Sequence, residues 1–198
     1  MAHHAKINIS TQIYGLISVI ILVLGIIINF IIRPDLFSMS IPYSLYGATP
    51  ETKLIFSASL ILTGLFFLYE SHFIANRFQR FGCYAVTLGF VIVAAVPIRI
   101  SPQTDIVHGI GAALVLFGLF VNLLIGIVSR SKVLTSPKRL YYAALLGVGV
   151  SSVILAILTR DMFGLELDLL GYAEYSGFVV FAGWTLVDFG DKFESHTH

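Results

Sequence analysis

Apolar residues in this chain do not alternate with polar ones at the period of a half-buried strand. They run in long blocks separated by short clusters of charge, proline and glycine. A bilayer core of roughly 30 Å needs about 20 predominantly apolar residues in a helix, since each backbone N–H and C=O must find its partner within the segment. Six blocks meet that length: Ile13 to Ile32, Lys53 to about Asn76, Phe81 to Ile98, Asp105 to Val128, Leu140 to Thr159 and Leu169 to about Phe189. The pattern predicts an all-α, polytopic integral membrane protein, with six transmembrane helices in one bundle forming a single domain over residues 1–198. The first block is longer than a secretory apolar region and runs into Arg33-Pro34-Asp35 rather than a small-residue cleavage site, so it reads as a retained span.

Helix starts are marked chemically. Thr49-Pro50-Glu51 precedes the second block, Ser101-Pro102 the fourth and Ser136-Pro137 the fifth. A hydroxyl there can cap free backbone N–H groups while proline takes a first-turn position where its missing donor costs little. Pro97 should end or kink the third helix. With a cytoplasmic N-terminus, the inner side carries Lys6, Arg77, Arg80, Arg130, Lys132, Lys138, Arg139 and Lys192. The outer side carries Arg33, Lys53, Arg99 and Arg160. Eight against four places both termini in the cytoplasm.

Composition narrows the function classes. With 57% hydrophobic residues, 12% charged and a mean hydropathy of +0.91, the chain has more apolar surface than a water-soluble core can hide, which excludes a soluble enzyme. A net charge of +1 provides no basic field for a nucleic-acid backbone. Cys83 stands alone, so no intramolecular disulfide forms, and no Cys/His spacing suggests structural zinc. Small residues at helical spacing predict close helix packing: Gly109 and Ala113 in the fourth span, Ala143, Gly147 and Ser151 in the fifth, Ala173 and Gly177 in the sixth.

Ionisable residues inside spans are costly and therefore carry most weight as functional candidates. His108 lies about one turn into the fourth span and Glu174 a similar depth into the sixth, both near the outer side. Arg33, Asp35, Arg99, Asp105, Arg160 and Asp161 surround them in an outer polar layer, and the loop from Arg33 to Thr52 adds Phe37, Tyr43, Tyr46 and Gly47. Two readings stand. In one, His108 and Glu174 hold a polar headgroup, Arg33 and Arg99 attract its charge, and Tyr43 and Tyr46 shape the entrance. In the other, His108 and Glu174 hydrogen-bond to each other and only lock two spans together. The inner side carries Glu70, His72, Asn76 and Arg77 with Asp188, Asp191 and Lys192, where an ion pair of Arg77 or Arg80 with Asp188 is expected.

Sharper chemistries fail on the residue count. A bis-histidine haem is excluded because His72 and His108 sit near opposite ends of their spans, on the order of 20 Å apart in depth. The outer layer has one histidine where a zinc hydrolase normally wants three His or carboxylate ligands; Asp105 and Glu174 could join His108, so that chemistry is disfavoured rather than excluded. No span interior holds a lysine for a retinal Schiff base, and neither a phosphate loop nor a Ser/His/Asp set is present. No metal, cofactor or catalytic set is indicated.

The short segment Val96-Pro97-Ile98, then His108-Gly109 and Ala112-Ala113, together with six spans and both ends inside, resembles the DRAM/Frag/Sfk superfamily and its prokaryotic relatives. The sixth span adds Tyr172-Ala173-Glu174-Tyr175, continuing to Phe181, Trp184-Thr185 and Asp188-Phe189, which is similar to that group's Ala-x-x-Glu-aromatic pattern with a trailing aromatic and acidic end. Eukaryotic members are implicated in lipid-anchor remodelling, phospholipid distribution between leaflets, and autophagy. The resemblance covers essentially the whole chain and implies a lipid-linked role, with His108 and Glu174 matching the intramembrane polar positions; it implies no agreed catalytic chemistry. The expectation is therefore a membrane protein that binds or helps handle a membrane lipid in an outer-leaflet pocket formed by His108, Glu174, Arg99, Arg33, Asp105, Tyr43 and Tyr46. An accessory subunit partnered with other membrane proteins is the alternative, and a small-solute or proton-coupled transporter a further one.

Overall fold

A computed structural model describes residues 9–38, 41–74, 76–98, 100–129, 140–151, 154 and 170–194. Among these every regular element is helical: α1 (Ile9–Ile32), short 3-10 turns at Pro34–Leu36 and Tyr43–Ala48, α2 (Lys53–Ser71), α3 (Arg77–Ala95), α4 (Pro102–Ser129), α5 (Leu140–Ser151) and α6 (Leu170–Glu194). Four segments are long and apolar enough to cross a membrane: Ile13–Ile32, Lys53–Ser71, Arg77–Ala95 and Pro102–Val128. The 25-residue α6 is as long, but Glu174 and its neighbours Tyr172, Tyr175 and Ser176 dilute its hydropathy. The distribution of side chains fits lipid on the outside. Ile20, Leu24, Ile27 and Ile31 of α1 are exposed, while Ser18, Asn29, Thr63, Thr87 and Asn122 are buried between helices.

Helix ends differ from the sequence expectation where a side chain finds a different carbonyl. The second helix stops at Ser71 rather than near Asn76, because Asn76 caps the next one. Its carboxamide oxygen accepts from Phe78 N at 2.9 Å and Gln79 N at 3.3 Å, so α3 begins at Arg77, four residues before the expected Phe81. Arg80 folds back and donates through Nε and Nη2 to the Ile74 carbonyl at 3.2 and 2.7 Å, closing the α2–α3 turn. The expected hydroxyl cap of α2 is also absent: Thr49 Oγ1 donates to Leu45 O and Thr52 Oγ1 to Tyr46 O, so both hydroxyls fasten the preceding loop. At α4 the expectation holds, with Ser101 Oγ accepting from Thr104 N at 3.2 Å and Pro102 opening the helix. Helix α3 ends at Ala95, two residues before Pro97. The Ser136-Pro137 boundary, the basic cluster Arg130, Lys132, Lys138 and Arg139, and Arg160 with Asp161 lie outside the described residues.

The tightest contact in the bundle is α3 on α4. Gly82 and Gly89 on one helix face Gly118 and Gly111 on the other, each pair spaced by seven residues. A Cβ on Gly118 would stand 2.3 Å from Gly82 O, and one on Gly89 would stand 2.5 Å from Gly111 O. Backbone therefore touches backbone, which gives dispersion contact where lipid offers no hydrophobic drive. A similar approach joins α1 to α2, where a Cβ on Gly25 would lie 2.4 Å from that of Ser59. The small-residue stripes expected to pack helices behave differently. Gly109 and Gly147 meet nothing within 4 Å, and Ala113, Ala143 and Ser151 are exposed.

Gly89→Ala should accordingly lower stability by about 1–3 kcal/mol, since the obstacle is a carbonyl rather than a movable side chain. Gly109→Ala should be neutral or slightly stabilising. Thermal unfolding in mild detergent reads both, and equal effects at the two positions would contradict the packing described.

Candidate functional site

The loop between α1 and α2 turns back into the bundle. Pro42 sets an extended entry, the 3-10 turn Tyr43–Ala48 follows, and Tyr43, Ser44, Tyr46 and Gly47 are buried. A buried loop must satisfy its backbone groups internally. Ser44 does so on α6: its N–H donates to Glu174 Oε2 at 2.8 Å and its hydroxyl donates to Glu174 Oε1 at 2.5 Å. Tyr43 Oη accepts from Asn29 Nδ2 of α1 at 2.7 Å, and Tyr46 donates its hydroxyl to Arg33 O at 3.1 Å. Aromatic rings complete the seat. Tyr43 lies 5.4 Å from Tyr46, 5.2 Å from Phe56 and 5.4 Å from Phe178, centroid to centroid, and Gly47 rests on the Phe56 ring.

Beneath this plug is a cavity of about 90 Å³. Tyr43 and Ser44 form its roof; Phe56 and Leu60 of α2, Phe90 and Val93 of α3, Ala112, Val115 and Leu116 of α4, and Ala173, Gly177 and Phe178 of α6 form apolar walls. The ionisable residues on its lining are Tyr43, His108 and Glu174. The α3–α4 contact explains the space: α4 is drawn against α3 and meets α6 only lightly, and the facing positions Ala112, Ala173 and Gly177 are too small to fill the gap.

His108 is 4% exposed. Its Nδ1 lies 2.6 Å from the Val96 carbonyl, an acceptor released where α3 stops short of Pro97. A carbonyl only accepts, so Nδ1 carries a proton; when the ring is neutral, Nε2 is left with a lone pair. Nε2 is buried and has no hydrogen-bond partner. The structure therefore brings His108 and Glu174 to one cavity without joining them, and the expectation of a hydrogen-bonded pair is corrected: each holds a separate partner from a different loop.

The remaining sequence candidates divide. Tyr43 lines the cavity. Tyr46 is buried behind it with its hydroxyl committed to Arg33 O, and does not line it. Arg33 faces away and forms a charge-assisted pair with Asp35, Nη2 to Oδ2 2.6 Å, and a longer one with Glu51 at 3.4 Å. These carboxylates hold its pKa above the ordinary value, chiefly through the Asp35 hydrogen bond, and Arg33 in turn lowers that of Asp35. Arg33 is not among the residues that line the cavity. Asp105 is exposed in the first turn of α4, where it suits the helix dipole, and is not on the lining. Arg99 lies outside the described residues. Among the described residues no group of three His, Cys, Asp or Glu side chains could hold a metal ion. Sequence reasoning missed Ser44 and Asn29, and it read Ala173 and Gly177 as packing positions when they line the cavity.

Toward the other end, polar groups take separate partners, and the buried Asn122 Oδ1 has none. Glu70 accepts from Gly15 N at 3.2 Å, and Asn122 donates to Cys83 Sγ at 3.5 Å. Arg80, expected to pair with Asp188, is spent on Ile74 O, and the side chain of Asp188 lies outside the described residues.

The sequence profile of a family described as "Protein of unknown function (DUF998)" matches residues 16–187. No curated protein and no solved structure matches the chain.

Burial raises the Tyr43 phenol from 10.0 to about 12, against smaller opposing hydrogen bonds from Asn29 and Ser59. The unfolded phenol ionises first as pH rises, so the stability contributed by the seated neutral phenol is complete below pH 10 and is lost as pH rises through about 12. An ultraviolet difference titration should show one late-titrating phenol fewer in Tyr43→Phe. Titration of Tyr43 at its ordinary value in the folded protein would contradict the buried seat.

Proposed function

This chain belongs to the DUF998 family, and we propose that it is a six-span integral membrane protein, with both termini cytoplasmic, that binds a membrane lipid in the cavity beneath the 41–52 loop. The observation that carries the reading is the cavity itself: an apolar chamber at one end of the bundle, with one buried and unpartnered polar atom, His108 Nε2, on a residue of its lining. An empty polar position in an apolar chamber matches a ligand that is apolar along most of its length and polar at one end. The loop then acts as a cover that Glu174 holds through Ser44, so Glu174 controls seating of the cover as well as the polarity of the chamber. The resemblance to the DRAM/Frag/Sfk superfamily supports a lipid-linked role. The reading assigns no reaction to the chain.

An accessory-subunit role is the second reading, favoured by one feature: Ala143, Gly147 and Ser151 form an exposed small-residue stripe on α5, a surface on which another helix could lie closely. Native mass spectrometry of protein extracted from its own membrane separates the two. Lipid handling requires a stoichiometric lipid on the single chain, and that lipid should be lost in Gly177→Leu, whose added side chain enters the cavity while its Cβ meets only Leu116 at 3.5 Å. Glu174→Ala should also release it, without unfolding the bundle. A lipid-free chain recovered only with other proteins would favour the subunit role.

A further inference from the structure

Resting on the reading of the cavity as a lipid site, we infer that the part of the lipid it encloses is the unbranched aliphatic end of one chain, stopped by Phe90, with the polar head outside. Surface chemistry decides which end goes in. The chamber's surface is almost wholly carbon, supplied by side chains of α2, α3, α4 and α6. Polar groups on its lining are turned to partners: Tyr43 Oη meets Asn29, the Ser44 N–H and hydroxyl meet Glu174, and His108 Nδ1 meets Val96 O. His108 Nε2 is itself buried. A headgroup placed inside would give up its hydration against carbon. A chain end has no such hydration to lose and gains dispersion contact on every side.

Volume sets how much of a chain fits. The chamber's 90 Å³ is well below the roughly 150 Å³ of an engineered apolar cavity that takes benzene, so on that scale it holds about four carbons. A ring or a branched end is too large. The stop is Phe90, which among the described residues is the one that both lines the chamber and joins the rings beneath it. Its ring stands edge-on to Phe181 at 5.4 Å, Phe181 to Phe67 at 5.0 Å and Phe67 to Trp184 at 5.7 Å, and all four are buried. The backbone at Phe90 is held, because α3 lies close on α2 at this level. Thr87 Oγ1 donates to Gly64 O at 3.2 Å, and a Cβ on Gly64 would stand 3.5 Å from that of Phe90. Removing the Phe90 ring therefore lengthens the chamber toward Phe181 and breaks no hydrogen bond.

The test uses the full chain in phosphatidylcholine nanodiscs and three phosphatidylcholine probes, each with a diazirine on one chain. In the first the diazirine lies beside a straight chain end, in the second beside the ester, and in the third beside a chain end closed by a cyclohexyl ring. Labelled peptides are mapped by mass spectrometry. Saturable labelling of cavity residues by the first probe is expected at about tenfold lower concentration than by the other two, the ratio for roughly two methylenes that find no place inside. Phe90→Ala should bring the ring-ended probe to parity with the straight one, and Gly177→Leu should abolish labelling by all three. Should Phe90→Ala not fold, Phe90→Leu replaces it, and the ranking of the three probes on the unaltered protein decides without either. Labelling by the ester-side probe equal to that by the straight end overturns the placement of the chain end. A ring-ended probe that labels the unaltered protein equally, or stays excluded when Phe90 is shortened, overturns the stop at Phe90. Each of these leaves the cavity standing as a lipid site. No cavity labelling by any probe, or labelling indifferent to Gly177→Leu, overturns the lipid-site reading itself.

Discussion

The contact on which the site depends joins Ser44 to Glu174 across most of the chain. A loop that dips between helices exposes N–H and C=O groups to a region with no water to satisfy them, and each unpaired group would cost on the order of several kcal/mol. Ser44 resolves this by giving both of its donors to one carboxylate. The same contact gives the Glu174 charge two donors inside the bundle, so loop and carboxylate make each other tolerable. Asn29 on Tyr43 and Thr52 on Tyr46 O extend the arrangement to the rest of the loop.

The cavity below is a consequence of unequal helix packing. Where Gly82 and Gly89 let α3 and α4 touch backbone to backbone, no space remains. That pairing commits the position of α4, and α6 approaches it across Ala112, Ala173 and Gly177 without large side chains to bridge the distance. Small residues thus act in two opposite ways within one bundle. They close a gap where the facing residue is also glycine and the helices are free to approach, and they leave one where another contact has already fixed the helix.

This distinction explains what the sequence could show. Long apolar blocks made the spans of α1 to α4 legible, and ionisable side chains in apolar surroundings pointed to His108 and Glu174 without knowledge of the fold. Their partners were not legible, because Ser44 is one serine in a polar loop and the Val96 carbonyl has no side-chain signature at all. The stripe of Ala173 and Gly177 carried the right composition for packing, but whether a small residue closes or opens a space depends on the neighbouring helix. For the same reason the heptad spacing of Gly82 and Gly89 against Gly111 and Gly118 went unread: its meaning lies in the pairing of two helices. Asn76 shows the local version. Read as the tail of one apolar block, it is the cap of the next helix, since a carboxamide oxygen that can reach two free N–H groups decides the boundary over hydropathy.

The middle of the bundle bears on what such a chamber can serve. A path for protons or ions needs polar groups whose hydrogen bonds can be exchanged along the membrane normal. The described hydroxyls between the two ends are instead committed to helix carbonyls: Thr63 donates to Ser18 O, Thr87 to Gly64 O, Ser18 to Gly15 O and Thr185 to Phe181 O. The first two fasten neighbouring helices and the last two close on their own helix, and each ends on a backbone carbonyl that has no proton to pass on. Below the chamber, Phe67 packs edge-on to Phe181 and Trp184, and Phe90 to Phe181, so a ring cluster separates it from Glu70 at the other end. A chamber closed below by rings and above by a hydrogen-bonded loop suits a ligand that enters and leaves at one end. On the proposed lipid-binding reading, that geometry suits holding an amphiphile better than conducting a solute.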